Sequence, residues 1–167
     1  MEQHEKSVFI SYSRDDELFA LELAVEIENA IGKGVVWIDL FDLDAGDELA
    51  PKISGSIEKA KWFILVASKH SMASKWVKYE AHIATFMAIE RDDIKILTVK
   101  IDDCSFPQSL NIELRRRVYI DATNDFKKGI HDVVNIISKE ASTRSRKSHI
   151  FIDRGSEIDR LQLAAEH

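Results

Sequence analysis

Three short runs in this chain are apolar at every position, Val8-Phe9-Ile10, Val35-Val36-Trp37-Ile38 and Trp62 to Ala67, and a fourth, Ile94 to Ile101, is apolar at five of eight. A strand with one wet face alternates apolar and polar residues. A strand that is apolar throughout must be covered on both faces. The stretches between these runs carry helical signals. Ser13-Arg14-Asp15-Asp16 reads as a capping-box-like start with acids in the first turn, Leu18, Leu21, Val25 and either Ile27 or Ile31 recur at roughly helical spacing, and Gly32 sits where that helix should end. Pro51 fits the first turn of a second helix running to about Lys61. A third helix is predicted over 75–90. Val118 to Asp121 reads as a short fifth strand at an edge, and Phe126 to Glu140 as a last helix with Ile130, Val133, Val134 and Ile137 inward. The run Trp62 to Ala67 is the most apolar, which places it at the centre of the sheet.

Strands that alternate with helices pair in parallel through right-handed crossovers. The expected fold is α/β: a flavodoxin-like, doubly wound, five-stranded parallel sheet with helices on both faces. Such sheets bind ligands beyond the carboxyl ends of their strands, where strand order reverses. That rule singles out Tyr12 to Asp16, Asp39 to Glu48, and Ser68 to Trp76.

The length of 167 residues suffices for one domain with a tail. We expect the domain over 1–141 and a polar linker and tail over 142–167, the junction lying in the basic, aperiodic run Ala141 to Ser148. A net charge of −6 argues against a nucleic-acid partner held by general electrostatics. The single cysteine, Cys104, allows no intrachain disulfide and suits a reducing compartment. With a charged N-terminus and no long apolar stretch, the expectation is a cytoplasmic protein without a signal peptide or membrane contact.

Several chemistries lack their residues. There is no glycine-rich phosphate loop and no nucleophile-elbow sequence. The six histidines show no ligand spacing, so no metal is expected. A phosphoacceptor receiver domain uses the same sheet, and Asp15, Asp16 and Lys100 suit it. Its acceptor aspartate is missing, because strand three ends in Ala67-Ser68-Lys69.

Three segments together point elsewhere. Val8-Phe9-Ile10-Ser11-Tyr12-Ser13-Arg14-Asp15-Asp16 resembles the opening box of TIR (Toll/interleukin-1 receptor) domains. Val36 to Asp47 resembles the second strand and following loop of that family. Lys75-Trp76-Val77-Lys78-Tyr79-Glu80 matches the W-x-x-x-E helix start of TIR domains that consume NAD⁺. The resemblance covers residues 6–140. It implies cleavage of the nicotinamide–ribose bond with Glu80 as the catalytic group, NAD⁺ as substrate and no added cofactor. Breaking that bond develops oxocarbenium character on the ribose, which a nearby carboxylate stabilises. Nicotinamide is cationic within NAD⁺ and departs neutral, so one carboxylate suffices. Trp76 shares a helix face with Glu80 at a spacing of four.

The resemblance also makes Tyr12 a group to stack on a ring and Arg14 a phosphate contact. Family members often carry the basic residue directly after the aromatic one, where this chain has Ser13. Asp39 and Ser56 match residues at the family's site, and Gly46, which allows a left-handed loop conformation, is counted with them as a substrate-site residue. The loop with Asp42, Leu43, Asp44, Asp47 and Glu48 matches one that mediates self-association with other TIR domains, and Lys69, Lys75 and Lys78 offer it a basic counter-surface. An immune, antiphage role is the family's implication. Two other readings stay open: a non-enzymatic scaffold that binds other TIR domains, and an inactive site that holds another nucleotide. Phe151 to Leu161 resembles the segment leading into STAND-type NTPase modules, with Asp153 and Gly155 departing from that pattern.

Overall fold

The computed structural model describes residues 6–38, 50–91, 94–108 and 119–143, and leaves aside the side chains at 50–54 and 76. By its contacts the chain divides into two units, Met1–Val134 and Asn135–His167. The larger unit holds strands β1 (Val8–Ser11), β2 (Val36–Ile38), β3 (Trp62–Ala67), β4 (Lys95–Lys100) and β5 (Ile120–Asp121). It also holds helices α1 (Glu17–Ile31), α2 (Ala50–Lys59), α3 (Lys69–Ala73) and α4 (Lys75–Arg91). Residues 126–134 form its last helix, α5, with Ile130 and Val133 buried and Val134 half-buried. In the smaller unit residues 135–143 are helical.

The strands form one sheet in the order β2-β1-β3-β4-β5, and every pairing is parallel. This is the doubly wound arrangement expected, with β3 central and β5 at an edge. The chain steps one way from β1 to β2 and the other way thereafter. Right-handed crossovers therefore put α1 on one face and α2, α3 and α4 on the other. Side-chain alternation agrees. Phe9, Phe63, Leu65 and Ala67 point to the side where Ile57 of α2 and Val77, Ala81 and Ala84 of α4 close the core. On the other side α1 meets α5 through an edge-to-face contact of Phe19 with Phe126, ring centroids 5.3 Å apart. Gly129 of α5 sits so close to Ala122 that a Cβ there would lie 2.3 Å from the alanine Cβ, so the approach requires glycine.

Helix α1 ends at Gly32, whose φ of 133° disfavours any L side chain. Its start differs from expectation. Ser13 caps nothing with its side chain, and residues 14–16 form a 3-10 turn instead. Its inner face differs as well. Phe19, Ala20, Leu23, Ala24 and Ile27 are buried, whereas Leu18, Leu21 and Val25 face outward. Runs of four (Leu18 to Leu21) and three (Leu23 to Val25) consecutive apolar or small residues leave two helical stripes to choose from, and the one carrying Phe19 fits the sheet.

Candidate active site

Ser11 is the last residue of β1. Residues two apart on a strand share a face, so Ser11 lies on the side of Phe9, which stacks on Phe63 with centroids 5.6 Å apart. That is the side covered by α4. On α4 the inward stripe runs through Val77, Ala81 and Ala84, and Glu80, one turn after Val77, is carried inward with it. Glu80 is 1% exposed and Ser11 is fully buried. The Ser11 hydroxyl donates to Glu80 Oε2 at 2.5 Å. A buried carboxyl is tolerated only when it is hydrogen-bonded, and an O–H donor to it is among the stronger kinds. Glu80 is therefore not a solvated helix residue. It is held at the carboxyl end of β1, beside β3, at the point where strand order reverses.

Other buried polar groups gather at the same end of the sheet. Asp16 follows β1, and Ser68 and Ser71 follow β3. The Ser68 hydroxyl donates to the Asp16 carboxylate, and Ser68 also caps α3: its Oγ accepts from the Ser71 N–H at 3.0 Å while the Ser71 Oγ accepts from the Ser68 N–H at 2.8 Å. Across the sheet, Ser11 pairs with Leu65 and Leu65 with Thr98, so a second buried hydroxyl lies in the same row. Its Oγ1 finds no partner among the described residues.

Burial pushes the Asp16 carboxyl above the ordinary aspartate range; the Ser68 hydrogen bond and His70 oppose this, and Asp102 and Asp15 add to it. The raised value means that the native state holds the Asp16 proton more tightly than the unfolded chain does. Stability from this group is present at acid pH and is lost as pH rises through the native value. Asp16→Asn keeps an acceptor for Ser68 and removes the charge. The expected result is a higher melting temperature than wild type at pH 7, with the gap closing below about pH 4, where the carboxyl is protonated in both states. Thermal melts across pH check this; a variant less stable at pH 7 contradicts it. Cys104 is buried, and its thiol is pushed up to about 11, mainly by burial. At neutral pH it stays protonated and is no nucleophile.

Of the residues singled out in the sequence, the structure brings several to one end of the sheet. Glu80 is at the centre. Tyr12, half-buried, directly follows β1, and Arg14 is exposed in the 3-10 turn. Ser56 is buried on α2, which packs along α4. The backbone of Trp76 is in the first turn of α4, and its side chain lies outside the description. Asp39, Gly46 and the loop residues Asp42, Leu43, Asp44, Asp47 and Glu48 lie outside the described residues. Of the basic residues set against that loop, Lys69 is paired with Asp103 at 2.8 Å. Sequence reasoning missed Ser11 as the partner of Glu80, and Asp16 and Ser68 as a buried pair. A hydroxyl two residues after Phe9, on a face that must be dry, was the available signal.

A family model described as the TIR domain matches residues 8–134. Among curated relatives, the chain is 36% identical over 78 residues to NAD(+) hydrolase TcpA of a Theionarchaea archaeon, covering 46% of this chain and 23% of that protein. It is 29% identical over 91 residues to NAD(+) hydrolase TcpC of Escherichia coli O6:H1, covering 54% of this chain and 29% of that protein. The chain thus spans less than a third of either relative. Among solved structures it resembles a metazoan TIR-STING receptor from C. gigas, with a TM-score of 0.63 and 24% identity over 83% of this chain and 41% of that one. It also resembles the TIR domains of the Roq1 resistosome, with a TM-score of 0.62 and 17% identity over 79% of this chain and 99% of that one.

Proposed function

Since this chain belongs to the TIR domain family, we propose that it cleaves the nicotinamide–ribose bond of NAD⁺, with Glu80 as the catalytic carboxylate. The observation that carries the reading is a carboxyl, 1% exposed and hydrogen-bonded to Ser11, at the ligand-binding end of a doubly wound sheet. Two relatives in the family are named as NAD⁺ hydrolases, which supports the same chemistry here.

NAD⁺ and water give nicotinamide, ADP-ribose and a proton. The C–N bond to the ribose breaks with its electron pair leaving on nicotinamide. Positive charge develops on the ribose, and Glu80 stabilises it and holds the ribose hydroxyls. Water then completes ADP-ribose; an adenine nitrogen in its place gives a cyclic product. The leaving group departs neutral, so the step calls on no general acid and no added cofactor. Tyr12, which follows β1, and Arg14, in the 3-10 turn after it, are the proposed contacts for a ring and a phosphate of the substrate. Glu80 is fully covered in this conformation, so a ribose reaches it only after the cover parts. Self-association is the proposed trigger, and the family membership carries an immune, antiphage setting as part of the same proposal.

Assembly-dependent activity gives a test. Nicotinamide release, measured by chromatography at rising protein concentration, should increase faster than in proportion to protein. Strict proportionality argues against activation by assembly. No release at any concentration favours the scaffold alternative, in which the same domain only binds other TIR domains.

A further inference from the structure

Two apolar stripes of this domain face solvent, and they are opposite in charge. On α1, Leu18, Leu21 and Val25, at spacings of three and four, are 86%, 37% and 52% exposed. The charged residues of that helix, Glu17, Glu22, Glu26 and Glu28, are all acidic. On α4, the face opposite Val77, Ala81 and Ala84 shows Tyr79, Phe86 and Ile89, which are 40%, 59% and 67% exposed. Its first two turns carry Lys75 and Lys78, and its exposed C-terminal end carries Glu90 and Arg91, so the charge outside the buried Glu80 is net basic. Among the described residues, no ion pair joins Glu17, Glu22 or Glu26 to a base, or Lys75 or Lys78 to an acid.

We propose that the α1 face of one copy docks on the α4 face of a second copy of this chain. Pairing α1 with α1 sets acid against acid. Pairing α4 with α4 brings together two faces that are each net basic, Glu90 offsetting only part of Lys75, Lys78 and Arg91. Only the mixed pairing buries both apolar stripes with opposite charges at the rim. The two helices lie on opposite faces of one sheet, so each docked copy leaves a free α1 face on one side and a free α4 face on the other. Such a contact is heterologous. It propagates into a stack or closes into a ring, and does not stop at a dimer. One helix against one helix is a small interface, which makes the contact weak and dependent on concentration. The acceptor helix is the one that carries Glu80 on its inner side, so docking bears on the candidate site. The inference thereby adds a surface to the proposed activation by self-association, but rests for its evidence on α1 and α4 alone.

The test reads mass, without NAD⁺. Sedimentation of the wild-type chain is expected to show at least a doubling of weight-average mass between about 10 and 500 µM, diminished in about 0.5 M salt, as weak interfaces and screened charges require. Glu22→Lys with Glu26→Lys, and separately Lys75→Glu with Lys78→Glu, should each stay monomeric while melting as cooperatively as wild type. An equimolar mixture of the two variants should regain assembly, because each supplies the charge the other has reversed. A monomeric wild type, unchanged assembly in the α1 variant, or a mixture that stays monomeric overturns the proposal. So does assembly lost only when Asp42 and Asp44 are reversed. Assembly without NAD⁺ cleavage sinks the enzymatic reading and leaves this surface standing; cleavage by a strictly monomeric chain does the reverse.

Discussion

Glu80→Gln is expected to lower nicotinamide release from NAD⁺ by at least about a hundredfold, the scale for removing one group aimed at developing charge, while the fold persists. The substitution keeps the side-chain volume and leaves a carbonyl oxygen to accept from Ser11, whose hydroxyl donates to Oε2 in the wild type. Stability should therefore change by less than about 1 kcal/mol. It removes the negative charge that the ribose needs as the bond breaks. Glu80→Ala is the less informative variant. It leaves the fully buried Ser11 hydroxyl without its acceptor and opens a cavity against α4, together costing about 2 kcal/mol or more. Activity that survives in Glu80→Gln within a few-fold would mean that the domain is correctly assigned and its catalytic group is not.

The largest expected effect on stability is at Phe63. Its ring is fully buried in the central strand, stacked on Phe9 at an interplanar angle of 8°. β3 is paired to β1 on one side and to β4 on the other, so the surroundings have little room to collapse. Phe63→Ala should cost about 3 to 5 kcal/mol, transfer and cavity combined. For a domain stable by about 5 to 15 kcal/mol that is a large share. Urea unfolding checks it: the midpoint should fall markedly with an unchanged slope. A loss under about 1 kcal/mol would mean that this face of the sheet is not the packed core described.

The architecture was legible because its inner strands β1 and β3 are dry on both faces. Trp62 to Ala67 reads as a central strand from composition alone, and the structure gives the same bounds. Where two patterns compete, the sequence is ambiguous. In α1 both the Phe19–Leu23–Ile27 series and the Leu18–Leu21–Val25 series have helical spacing, and only the sheet selects between them. The five-residue α3 carries too few turns to show a period; its one local mark is Ser68 three residues before Ser71. Glu80 was identified through the W-x-x-x-E spacing, but its burial was not, since an acid at that position reads equally as a wet helix face. Its partner Ser11 is 69 residues away, and Asp16 and Ser68 are 52 apart, distances at which no local pattern reports a contact. Such pairs emerge only when the parallel sheet brings the ends of β1 and β3 side by side.

The product balance of an NAD⁺ incubation with concentrated wild-type chain decides whether this domain cleaves the nicotinamide–ribose bond. NAD⁺ should disappear while nicotinamide and ADP-ribose, linear or cyclic, appear in equal amounts. NAD⁺ that remains intact at every protein concentration, including with the domain forced to cluster, would contradict such cleavage.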